Sequence, residues 1–327
     1  MRPNRTRRAL GAAALALLAL GGCAAGTPSG ARHKVAIVAK STTTEFWLSV
    51  FAGAEAAATE YNLELTVAGP ETEEDWYSQN RMVAEAVEDG AEALVFSAID
   101  YESNAEAIDE AAARGVRIVA IDSPVNSDAV QTYIGTDNYA AGQMAARAAL
   151  DGVEGELRVG IVNYDARSAN GQERERGALD AFADSGRARV ESVINTLAEA
   201  GRAQTDAAAL LSAHPGINVL LAFNEPTSVG AAWAVEDLDR SEDIFLVGFD
   251  SNVITVDGLQ EGSVDALVVQ NPYAMGYLGV ESAYKLLSGQ GGSLESTVDT
   301  STQIVDRENL FTMDSQKALF AFEQHLN

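Results

Sequence analysis

The chain has 327 residues, with 22 lysines and arginines against 48 aspartates and glutamates, giving a formal net charge of −26. Such an acidic surface repels phosphate backbones and anionic headgroups, which argues against nucleic acid and against polybasic docking to a membrane. The single cysteine, Cys23, rules out a disulfide framework and cysteine-ligated metal centres, and His33, His214 and His325 show no metal-ligand spacing.

Residues 1–23, MRPNRTRRALGAAALALLALGGC, begin with four arginines, continue into an apolar run from Ala9 to Leu20 and end in small residues. That is the layout of a secretory signal, and the run is shorter than the ~20 residues a spanning helix needs. Leu20-Gly21-Gly22-Cys23 resembles the lipobox of bacterial lipoproteins. The resemblance implies that 1–22 is a signal peptide and that Cys23 becomes the lipidated first residue. Residues 23–32 are small, polar and Gly/Pro-bearing, the composition of a flexible tether. Loss of 1–22 removes four arginines and no acid, leaving a still more acidic chain suited to an extracytoplasmic protein lipid-anchored to the cell membrane.

Strand-like apolar runs then recur at 34–39, 63–68, 93–98, 116–122 and 132–136, separated by helical stretches near 46–60, 75–89 and 102–114 and followed by another at 138–150. A second series follows at 157–163, 188–195, 217–224, 244–250 and 266–270, again with helices between. Continuous apolar strands at this spacing indicate parallel sheets covered on both faces by helices. Ten strands in two similar series predict an α/β protein of two doubly wound, Rossmann-like lobes.

Ligands of open parallel sheets sit beyond the carboxyl ends of the strands. The segments to inspect are therefore Ser41 to Trp47, Ser97 to Tyr101, Asp122-Ser123, Asn163 to Ser168, Asn224-Glu225, Asp250-Ser251 and Gln270-Asn271. Nearly all carry hydrogen-bonding side chains. An aspartate at one strand end usually serves only a turn or helix cap. Several such ends, with an arginine and the Phe46-Trp47 pair, suit a neutral ligand rich in hydroxyls. Phe46 and Trp47 read equally well as the first core turn of a helix, Asp250 as a helix cap, and Trp76 as packing.

The motifs STTTEFW, IDS, YIGTDNYAAG, RERERGALDAF, AFNEPTSVGA, LVGFDS and ALVVQNPYAMGYLGV, in this order, resemble the type I periplasmic binding proteins of sugar ABC importers, the ribose-binding-like branch. The resemblance spans the mature chain and implies two lobes joined by a three-strand hinge. The N-terminal lobe is then 33–136 with 271–299 and the C-terminal lobe 137–270 with 300–327. Crossings fall near Thr136-Asp137, Gln270-Asn271 and Asp299-Thr300.

Position by position, the resemblance casts Phe46 and Trp47 as the aromatic pair that covers a sugar ring, and Ser41, Thr43 and Thr44 as polar groups of the same loop. It casts Asp122 as an acid that accepts sugar hydroxyls, with Ser123 beside it where ribose binders often carry arginine. Arg176 is the arginine of the C-terminal lobe, Arg174 reading as surface, and Asn224, Asp250 and Gln270 are its amide, acid and hinge amide. The aromatic expected near Ala200-Gly201-Arg202 is missing, which implies a roomier pocket or one that uses another face. The implied partners are a monosaccharide and the permease subunits of an ABC importer, with a monomeric chain and the membrane reached only through the lipid. A chemosensory or autoinducer-2 receptor shares this fold and site. No nucleophile elbow, metal set or dinucleotide fingerprint marks an enzyme, and no cofactor is implied.

Overall fold

The computed structural model describes residues 32–320. Cys23, the signal segment and the tether up to residue 31 lie outside them, as does the C-terminal stretch from 321.

The first half of the chain gives β1 (Lys34–Val38), α1 (Glu45–Glu60), β2 (Glu64–Ala68), α2 (Trp76–Glu88), β3 (Ala93–Phe96), α3 (Ala105–Ala113), β4 (Arg117–Ile121) and β5 (Val130–Gly135). The second gives α4 (Asn138–Gly152), β6 (Leu157–Asn163), α5 (Ala169–Ser185), β7 (Ala188–Asn195), α6 (Ala200–Ala213), β8 (Val219–Ala222), α7 (Glu225–Asp237), β9 (Phe245–Phe249), α8 (Val253–Glu261) and β10 (Ala266–Val269). The chain ends with α9 (Pro272–Leu287), β11 (Thr297–Asp299), β12 (Gln303–Asp306) and α10 (Met313–Leu319).

The strands form two six-stranded sheets, ordered β11-β5-β4-β3-β1-β2 and β12-β10-β9-β8-β6-β7. The five strands of each series therefore repeat one order, the doubly wound pattern in which β1 and β6 mark the point where the winding reverses. Every pairing is parallel except β10 with β12, which is antiparallel. The sequence reading missed β11 and β12. They are three and four residues long and half-exposed, so neither carries an apolar run.

Burial explains why the central strands were readable. Val35 and Ile37 pack into a core with α1 and α9, whereas Ala36 and Val38 pack into a core on the opposite face with α2 and α3. The second sheet is covered likewise, by α4 and α5 on one face and by α6, α7 and α8 on the other. Each fully buried Val, Ile or Leu contributes about 1.5–3 kcal/mol, and a strand buried on both faces has no polar side to show.

The chain passes from the first sheet to the second between β5 and α4, returns between β10 and α9, which packs on β3, β4 and β5, and crosses again between β11 and β12. Hydrogen bonds tie the passages together: the Thr136 hydroxyl donates to Gln270 Oε1 (2.8 Å) and the Thr300 N–H to the Gly135 carbonyl (2.7 Å).

In each lobe one helix pair makes backbone contact through reciprocal glycines. A Cβ on Gly53 would lie 2.0 Å from the Tyr273 carbonyl oxygen, and one on Gly276 1.9 Å from that of Val50, between α1 and α9. Gly142 and Gly177 do the same between α4 and α5, each 2.0 Å from the carbonyl oxygen of Arg174 and of Tyr139. Alanine at Gly142 or Gly276 forces the helices apart, at a cost of about 1–3 kcal/mol. A lowered thermal midpoint in both variants checks this, and Gly142→Ala should also weaken ligand binding because the displaced backbone carries Arg174.

Among the described residues no helix is long and apolar enough to cross a membrane.

Candidate functional site

The strand ends of the two sheets face each other across a cleft. A cavity there is lined by Lys40, Thr44, Phe46, Trp47, Glu73 and Asp122 from the first lobe, and by Tyr164, Asn170, Arg174, Asn224, Glu225, Pro226, Asp250 and Gln270 from the second.

Thr44 caps α1 by accepting the Trp47 N–H, which sets Phe46 and Trp47 in the first helical turn. Their rings meet edge to face with centroids 5.2 Å apart. Both are core residues and cavity walls at once. The Trp47 indole N–H donates to Glu73 (2.8 Å), fixing the ring plane.

Asp122 and Asp250 stand just after β4 and β9, the equivalent strands of the two sheets, at φ of 55° and 64°. This left-handed conformation costs most residues ~1–3 kcal/mol, and aspartate tolerates it better than most. It occurs here at the same place in both lobes, where the side chains line the cleft. Asp122 accepts from Ser97 (2.9 Å) and, across the cleft, from Asn170 (3.2 Å). Asp250 accepts from Gln270 (2.6 Å).

Arg174 lines the cavity, and Arg176 does not. Arg174 is 1% exposed and donates from Nε to Asn138 (2.8 Å), from Nη1 to the Phe223 carbonyl (2.5 Å) and from Nη2 to Gln270 Oε1 (2.9 Å). Its guanidinium lies over the Phe249 ring, 4.5 Å from the centroid. Arg176 is exposed, pairs with Glu173 on its own helix and stacks on Tyr139. The phase of α5 decides between them: its buried face runs through Asn170, Gly171, Arg174, Gly177, Ala178 and Phe182, and position 176 falls off that face.

Three further expected residues do not line the cavity. The hydroxyls of Ser41 and Thr43 bond each other (3.1 Å) and the Glu71 carbonyl, tying the loop after β1 to the loop after β2. Ser123 is fully buried behind Asp122, with its hydroxyl unpaired. Asn224 does line it: Oδ1 caps α7 in a capping box with Thr227, while Nδ2 is buried without a protein partner.

Sequence reasoning missed Lys40, Glu73 and Asn170, and marked Tyr164 and Glu225 only as strand-end positions without a role. Tyr164 supplies an aromatic wall in the second lobe, in place of the one absent near residue 200. The pocket is tighter than expected, a cavity of about 20 Å³, because Lys40, Tyr164 and Arg174 reach into it. That is room for about one water. A neighbouring cavity of about 240 Å³ shares Phe46, Asp250 and Gln270 and has a more apolar wall that includes Leu48, Val253, Val256 and Leu319.

The cleft holds more acids than bases. Lys40 lies 3.5 Å from Glu73 and 3.9 Å from Asp122 and donates across the cleft to Ser168 (3.1 Å). Burial pulls its pKa down, but the fields of Glu73, Tyr164 and Asp122 outweigh that and hold the ammonium above its ordinary value. Burial raises Asp122 against the opposing pull of Lys40 and Arg174. It pushes Asp250 up to about 6 and Glu225 up to about 7, the partners of each offsetting only part of the cost. Among the described residues no group of three or more His, Cys, Asp or Glu could hold a metal ion.

A family model described as the periplasmic binding protein domain matches residues 35–291. The chain belongs to that family. It is a type I periplasmic binding protein, extracytoplasmic by family, and a solute-binding protein rather than an enzyme. It is 28% identical over 308 residues to the D-ribose/D-allose-binding protein of Pseudomonas aeruginosa, covering 89% of this chain and 96% of that one. It is 26% identical to the ribose import binding protein of Bacillus subtilis, covering 75% and 78%. Among solved structures it superposes with a TM-score of 0.85, at 28% identity, on a carbohydrate transporter solute-binding protein from Agrobacterium radiobacter in complex with D-arabinose, covering 89% of this chain and 100% of that one. A solute-binding protein from Agrobacterium vitis with bound D-fucose gives 0.84 at 27% identity, covering 88% and 100%.

Proposed function

We propose that the protein captures a neutral monosaccharide, ribose-like or a related polyol, between its lobes and delivers it to the permease of an ABC importer. The observation that carries this reading is the convergence of Phe46 and Trp47, two left-handed aspartates, the Arg174 guanidinium and the unpartnered Asn224 amide on one cleft. Aromatic faces suit the C–H faces of a sugar ring, and buried acceptors and donors suit its hydroxyl edge. Relatives named for ribose, allose, arabinose and fucose support the sugar class. Ser41, Thr43, Ser123 and Arg176 have no place in this proposed site.

The connections at 136–137, 270–271 and 299–300 serve as the hinge in this account, with Gln270 at its centre. Gln270 accepts from Thr136 and Arg174 and donates to Asp250, so hinge and ligand groups share one network. Hinge closure about a solute is a standard mode for such two-lobed proteins. Cys23 would carry the lipid and the chain would act as a monomer. A thermal-shift panel of pentoses, hexoses, inositols and autoinducer-2 tests the reading. A raised midpoint with one or a few sugars is the expected result, and stabilisation by autoinducer-2 alone, or by nothing in the panel, refutes it.

A further inference from the structure

Helix α1 carries the aromatic pair, and its N-terminus is completed from the other lobe. Of the N–H groups in its first turn, which have no partner inside a helix, that of Trp47 is taken by the Thr44 hydroxyl of the same lobe (3.4 Å). Those of Phe46 and Glu45 are taken by the two carboxylate oxygens of Glu225, at 2.9 and 3.3 Å. Glu225 is the first residue of α7 and belongs to the second lobe. It is 8% exposed, and Asn252 of its own lobe donates to the same carboxylate (3.3 Å). The acceptor is thus held in place on one side of the cleft and the donors, at the positive end of a 16-residue helix, on the other.

We propose that Glu225 is a closure latch and a positioning residue: its carboxylate docks the first turn of α1 onto the second lobe and thereby sets where Phe46 and Trp47 stand against Asp250 and Arg174. This rests on the reading of the protein as a binding protein that closes about its solute, and not on which sugar it takes. Its two contacts exist only when the lobes are together, so it slows opening by docking one lobe onto the other. Other groups bridge the cleft, including Arg167 with Asp100 (3.4 Å) and Glu74 with the Ala198 N–H (2.7 Å). Glu225 alone among these grips the helix that bears the aromatic wall.

The test compares wild type with Glu225→Ala, Glu225→Asp and Glu225→Gln, using the sugar that gives the largest thermal shift. Stopped-flow release should be about tenfold faster in the alanine and aspartate variants with little change in the association rate, the split expected of a contact made after encounter. Aspartate keeps the charge but is one methylene too short to span, whereas glutamine keeps the reach and one acceptor and should fall between. Amide exchange at Phe46 in the liganded protein should quicken in parallel. Unchanged release rates and Phe46 exchange in all three variants overturn the latch. If no sugar in the panel binds any form, the functional reading fails. The latch is then judged by small-angle scattering of unliganded wild type and Glu225→Ala, where equal radii of gyration overturn it and a larger radius in the variant supports it.

Discussion

Replacing Arg174 by lysine weakens ligand binding at least about tenfold, which corresponds to ~1.4 kcal/mol, while Arg176→Lys leaves it unchanged. The guanidinium of Arg174 directs three separate nitrogens to Asn138, Phe223 and Gln270 while resting on the Phe249 ring. A lysine ammonium keeps the charge but cannot reproduce that planar fork or the stacking. It also leaves buried acceptors unpaired, each costing ~1–3 kcal/mol, so the thermal midpoint falls as well. Arg176 makes an exposed ion pair and a surface ring contact, interactions worth ~0–1 kcal/mol. Calorimetric titration of both variants separates the two arginines, and a sensitive Arg176 with a silent Arg174 contradicts the site.

Asp250→Asn stabilises the unliganded protein at neutral pH and weakens sugar binding. Asparagine fits the cavity and tolerates the left-handed backbone at φ 64°, so the change isolates the charge. In the folded protein the carboxyl is pushed up to about 6 from an ordinary 3.8, mainly by burial. The folded state therefore holds a proton that the unfolded chain has released. The benefit is complete below the unfolded value and is lost as pH rises towards about 6. Glu225, at about 7 against 4.5, adds a loss of the same sign, as does mutual repulsion in a chain of net charge −26. The thermal midpoint of wild type should thus rise as pH falls from 8 to about 5.5, and more shallowly in Asp250→Asn. Sugar hydroxyls that donate to the carboxylate offset its burial, so affinity should fall in the variant by ~1–3 kcal/mol. An unchanged pH slope together with unchanged affinity contradicts this account.

The two lobes were readable because the central strands are buried on both faces and most strands are followed by a helix. β11 and β12 were not, since three residues of TVD and four of QIVD carry no periodic signal. The cavity lining was readable wherever the strand-end rule applies, which covers Phe46, Trp47, Asp122, Asn224, Asp250 and Gln270. Arg176 was chosen as the arginine next to Gly177 and lies exposed off the cavity, although the spacing of Gly171, Arg174, Ala178 and Phe182 already marked the buried face of α5. Lys40 falls between the apolar run 34–39 and the inspected segment from Ser41, so neither criterion marked it. Glu73 meets Trp47 and Lys40 only through tertiary packing of its own lobe, Asn170 and Glu225 bond groups of the opposite lobe, and no local pattern in a sequence records either kind of distant contact.

The most direct measurement is a calorimetric titration of the full chain with the best sugar of the thermal panel, run beside Asp122→Asn, Asp250→Asn and Arg174→Lys. One sugar bound per chain, with at least about tenfold loss in each variant, is the predicted result. Binding that survives all three changes within a factor of about two, or no monosaccharide binding to wild type, would contradict capture between the lobes by these residues.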